Sequence, residues 1–225
     1  MIVTLSSKTE PTGNFRPFES TRRSVTMTDI NFWSPKGGQG VTTLACSVAN
    51  VLSRTGENVQ VVAEGDRAND ILAVFGSATL AESNFRSTIR ENLQVSQIPV
   101  GKVDRRLFDC GTDVSALQPD CINVMVTKAC YLSLRKLLKV TRDFGHPEIL
   151  DHFHGFVLIE EPGRALLAAD IEAVAEMNHL GSVPYDPAIS RAVDAGMLAI
   201  REPHKAVKRL ASKLVELSDL SKEKS

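Results

Sequence analysis

Between Ile30 and Thr43 the chain reads INFWSPKGGQGVTT. Ile30 and Phe32, followed by Ser34-Pro35, read as a short buried strand. Gly37, Gly38 and Gly40 then allow a tight turn, and the residues after it begin a helix. A strand, a glycine-rich turn and a helix start in that order place several backbone N–H groups on the inner side of the bend. The N-terminus of that helix adds its own positive pole, so the stretch is built to hold phosphate. Its spacing meets G-x-x-x-x-G-K-[ST] only in part, because Pro35 stands at the first glycine and Val41 at the lysine.

The rest of the chain supplies a matching frame. Leu44, Val48, Val51 and Leu52 recur at helical spacing across Thr42 to Arg54, and Thr55-Gly56 supplies the stop. Further strands are expected at Val59 to Ala63, Leu93 to Ile98, Arg106 to Asp109, Cys121 to Val126, Gly155 to Glu160 and near 181, with helical segments between them. Residues 68 to 92 read as mixed helix and loop. Such alternation implies an α/β fold with a mostly parallel central sheet flanked by helices, and sheets of this kind bind ligands at their carboxyl edge. An acid at the end of an apolar strand, as at Asp109, is often a cap or turn residue; with the loop upstream, a metal-holding role is preferred.

At 225 residues and 43% hydrophobic content, the chain is long enough for one such domain. Its 26 basic and 27 acidic residues leave a net charge of −1, so composition alone gives no argument for a nucleic-acid partner and any basic surface must arise by clustering. Cys46, Cys110, Cys121 and Cys130 lack C-x-x-C spacing, which reads as buried reduced thiols. His152 and His154 lack a third ligand and are assigned no metal. There is neither an 18-residue apolar run nor a signal-peptide core, so a soluble intracellular protein is expected. Residues 1–27, rich in Ser, Thr, Pro and Arg, read as a flexible arm, 28–220 as the domain, and 221–225 as a disordered tail.

Lys36-Gly37-Gly38-Gln39-Gly40-Val41-Thr42-Thr43 resembles the deviant Walker A motif, K-G-G-x-G-K-T-[ST], of the ParA/MinD family of partitioning and positioning ATPases, with Val41 at the usual P-loop lysine. The resemblance extends over about residues 28 to 200. It includes Arg106 to Thr112 as the h-h-D-x-[GP] segment, Ser133-Leu134-Arg135, and the final strand and turn through Asp186 with the following AISRAVDAG. It implies a P-loop NTPase fold that takes ATP and Mg²⁺, with Gly37, Gly38, Gln39, Gly40, Val41, Thr42 and Thr43 around the phosphates. Lys36 is then the signature lysine reaching the partner's phosphates in a homodimer. Thr42 and Asp109 serve the metal, Asp109 through water. Asp66, second acid of the family's D-x-D at Glu64-Gly65-Asp66, orients the attacking water. Glu160-Glu161 stands where many relatives carry an adenine-reading Asn; a carboxylate accepts from the exocyclic amine but cannot donate to a ring nitrogen.

Two functions fit that resemblance. One is an ATP-binding dimeric switch with slow or absent hydrolysis, in plasmid, phage or chromosome DNA partition, cytoplasmic and nucleoid-associated, with an adaptor protein that stimulates turnover. The other is a non-catalytic localisation scaffold of the same fold, of the pilus-assembly or septum-site type, with weak or no nucleotide binding. Val41 leaves enzymatic activity open. A dinucleotide oxidoreductase is disfavoured because the loop lacks G-x-G-x-x-G. Pro203 to Leu220 forms an amphipathic pattern with Val207, Leu210, Leu214 and Leu217 on one face, read as a helix packed on the sheet. Its Lys205, Lys208, Arg209 and Lys213, with Arg191 and Arg201, offer a non-specific DNA contact, ahead of membrane attachment because the stripe lacks Phe or Trp.

Overall fold

In a computed structural model, residues 29–77, 86–117, 120–143 and 150–222 are described. The expected arm at 1–27 lies outside them; of the tail expected at 221–225, residues 221 and 222 instead end the last helix and the rest lies outside. One sheet of eight strands runs β3 (Arg86–Arg90), β4 (Leu93–Ser96), β2 (Val59–Val62), β5 (Arg105–Gly111), β1 (Ile30–Trp33), β6 (Ile122–Lys128), β7 (Gly155–Ile159), β8 (His179–Val183). Every neighbouring pair is parallel except β3 with β4. The mostly parallel α/β architecture expected from alternation is what forms.

Both faces of the sheet are covered, which is why its strands read as continuous apolar runs. Period-two alternation sorts the side chains. Ile30, Phe32, Leu107, Val124 and Val157 join the cluster under α1 (Val41–Arg54), α2 (Asp66–Val74) and α6 (Lys205–Lys222). Trp33, Phe108, Met125 and Phe156 join the one under α3 (Tyr131–Asp143) and α4 (Ala168–Ala175). Asp109 has the parity of Leu107 and is the register partner of Phe32. It therefore emerges on the α1 side, at the carboxyl edge.

The segment read as helix and loop contains α2 and the antiparallel edge strand β3. RSTIR alternates weakly in apolarity, and its residues are exposed or half-exposed, as an edge strand's often are. Gly76 ends the α2 turn at φ 72°, and a Cβ there would lie 2.2 Å from the Gly196 carbonyl oxygen. That close approach ties α2 to the end of α5 (Pro187–Asp194). His154 serves the sheet, since its Nδ1 accepts the Asn123 N–H at 3.2 Å, and burial lowers its pKa. No helix among the described residues is long and apolar enough to cross a membrane.

Candidate functional site

The loop after β1 is fixed at both ends. Ser34 N–H donates to the Gly111 carbonyl at 2.9 Å, and its hydroxyl donates to the Lys36 carbonyl at 2.7 Å. Gly38 and Gly40 adopt φ 75° and 94°, left-handed values that β-carbons disfavour. Gln39 turns inward and is buried, where its Oε1 accepts from Lys128 N–H at 2.9 Å and the Ser133 hydroxyl at 2.7 Å. Of the loop residues expected around phosphate, Gln39 thus anchors the bend to β6 and α3 with its side chain.

Gly40 is the N-cap of α1, makes no side-chain cap and is followed by no acid in the first turn. The first N–H groups of a helix have no intrahelical acceptor and carry the positive end of its dipole. They border a cavity of about 490 Å³ whose lining includes Gly38, Gly40, Thr42, Asp109, Arg67 and Glu161. Such a cradle fits a polyphosphate. Thr42 hydroxyl donates to Asp109 Oδ2 at 2.5 Å, and Gly111 N–H donates to Asp109 Oδ1 at 2.9 Å. A hydroxyl and a carboxylate side by side form a hard oxygen donor set, which fits Mg²⁺ better than a soft metal.

Val41 is 6% exposed and belongs to the core cluster, so this loop position is used for packing. Gly37, Val41 and Thr43 also line the cavity, whereas Lys36 and Asp66 do not. Lys36 is half-buried beside it, and Asp66 is exposed as the first residue of α2. Loop and Asp109 come together as expected; the residues expected to be catalytic stay outside this chain's own cavity.

Three cations at the site carried no signal that the sequence pattern picked out. Lys128 ends β6 and pairs with Glu161 at 2.5 Å. Arg164 also bonds Glu161, with Nε at 2.9 Å, and the two cations hold that carboxyl below its ordinary pKa, Lys128 first. Of the two glutamates expected at the adenine-reading position, Glu161 lines this cavity, and both border a neighbouring one beside Leu166 and Leu167. Arg67, in the first turn of α2, is the third. The one clue to it was its position, shortly after a β-strand at the sheet's carboxyl edge.

A profile of the CobQ/CobB/MinD/ParA nucleotide binding domain matches residues 30–200. The fold is similar to the cell division ATPase MinD of Pyrococcus furiosus, at 22% identity and a TM-score of 0.65, over 85% of this chain and 100% of that one. It is similar to the septum site-determining protein MinD of Pyrococcus horikoshii OT3 complexed with Mg-ADP, at 21% identity and 0.59, over 88% and 98%. A ParA family ATPase from Chlorobium tepidum TLS matches at 17% identity and 0.59, over 86% and 99%. A comparison with curated protein sequences gives no match. Fold and glycine loop define a P-loop NTPase architecture of the α/β kind. Within it, the chain belongs to the CobQ/CobB/MinD/ParA nucleotide-binding domain family.

Proposed function

We propose that this chain binds ATP with Mg²⁺ behind the glycine loop and uses the occupied state to hold two copies together, as a positioning switch in DNA partition. The observation that carries this reading is the 2.5 Å contact between Thr42 and Asp109, residues 67 apart in sequence that converge under an uncapped helix N-terminus. In this reading the amides of Gly37 to Gly40 and the first turn of α1 take the phosphates, with Val41 and Thr43 alongside. Thr42 and Asp109 are the residues that would hold Mg²⁺, Asp109 through water. The metal would supply neutralisation of phosphate charge there. Lys36 serves the second copy's phosphates, and Asp66 orients water.

Hydrolysis is slow or absent in this proposal, since Val41 brings no charge to the phosphates and a charge-assisted contact is worth about 1.5–3 kcal/mol. An adaptor protein stimulates whatever turnover survives. A second reading, a non-catalytic localisation scaffold of the same fold with weak or no nucleotide binding, is favoured by the burial of Val41 in the core.

Calorimetry with ATP, with and without Mg²⁺, separates the two. Wild type is expected to bind with a Mg²⁺-dependent gain that Thr42→Ala and Asp109→Ala lose. Sedimentation with ATP is expected to show dimers for wild type and monomers for Lys36→Ala. No binding by wild type at millimolar ATP overturns the switch and leaves the scaffold.

A further inference from the structure

The cavity lacks its usual cation, yet it is not without a candidate. Val41 is committed to the core at 6% exposure. The basic side chains in the lining are Arg67 and Lys128. Lys128 is neutralised by Glu161 at 2.5 Å. Arg67 belongs to no ion pair among the described residues, and its Nε is buried without a hydrogen-bond partner. A guanidinium that lines the cavity without a counter-charge among the described residues has its charge available to an anion there.

Its position is also specific. The guanidinium lies over Gly111: a Cβ built there would be 3.1 Å from Arg67 Nη1 and 3.6 Å from Cζ. Gly111 is the residue that accepts from Ser34 at the loop's start and donates to Asp109. Arg67 therefore sits where loop and metal-binding carboxylate meet. Its route into the cavity is from β2 and α2 rather than from α1.

We propose that Arg67 supplies the phosphate-binding charge that Val41 cannot, so that this chain has moved its phosphate cation from the loop to α2. The proposal rests on the nucleotide reading above. A planar guanidinium offers paired donors to phosphate oxygens, a geometry a lysine does not reproduce. One consequence is that nucleotide occupancy is felt directly by α2, the helix that begins at Asp66.

Calorimetry with Mg·ATP on wild type, Arg67→Gln and Arg67→Lys tests it. Arg67→Gln is expected to weaken binding by roughly tenfold to a hundredfold, and Arg67→Lys to recover part of the loss. In wild type labelled with ¹⁵N arginine, the Arg67 Nε–H signal is expected to shift and exchange more slowly on Mg·ATP addition, a readout that survives if a variant fails to fold. Wild-type binding with an unchanged Arg67 signal, or with Arg67→Gln within about twofold of wild type, overturns this proposal while the nucleotide reading stands. Failure of wild type to bind overturns both, and the absence of any Arg67 response then belongs to the first.

Discussion

Gln39 holds the phosphate loop in shape from inside. Its single Oε1 accepts two donors, Lys128 N–H on β6 and the Ser133 hydroxyl on α3, and its side chain is 2% exposed. Gln39→Ala leaves both donors without that acceptor, so a loss of about 1–3 kcal/mol in stability is expected. Urea unfolding of the variant reads it directly; a midpoint equal to wild type removes the anchoring role. The glycines beside Gln39 were legible because left-handed backbone selects for glycine in any sequence. Arg67 was not, because a lone arginine after an acid looks like any solvated helix start until β2 and β5 bring it over Gly111.

Elements were legible in the chain in proportion to their burial. Central strands with both faces covered carry uninterrupted apolar residues, and they fall where the sequence puts them. Edge strand β3 carries Arg86, Ser87 and Thr88, and only pairing with β4 makes it a strand. Helix α6 packs through Val207, Leu210, Ala211 and Leu214, and Arg105 holds its far end through the Ser218 hydroxyl at 2.9 Å. Burial of that stripe is as the amphipathic pattern expects, whereas buried Arg105, bonded to Glu57 at 2.6 Å as well, had no sequence signal. The meeting of α2 with α5 is sterically strict. Gly76→Ala combines a positive φ with a methyl 2.2 Å from the Gly196 carbonyl, and should cost more than about 1 kcal/mol. Thermal unfolding checks it, and an unchanged midpoint would mean that the two turns move apart freely.

For the whole molecule, the outward charge of α6 decides between packing alone and packing with a nucleic-acid contact. Lys205 and Arg209 are exposed, while Lys208 pairs with Glu202 and Lys213 donates to the His179 carbonyl at 3.4 Å. Part of the basic set is thus engaged within the chain. Under the partition proposal, duplex DNA is retained non-specifically, and retention falls as salt rises because phosphate contacts release counterions. The double variant Lys205→Gln, Arg209→Gln is expected to shallow that salt slope; retention indifferent to salt, or none at low salt, ends the DNA contact. By itself the sequence determined the alternating frame, the loop and the acid at the end of β5, since apolar periodicity and left-handed glycine are local constraints written residue by residue. Only the tertiary structure decided that Gln39 turns inward onto Lys128 and Ser133, that Glu161 rather than Glu160 lines the loop cavity, and that Arg67 joins it while Lys36 and Asp66 stay outside. Those outcomes depend on which strands become neighbours and in what register, and no local stretch of chain encodes a distance across a sheet.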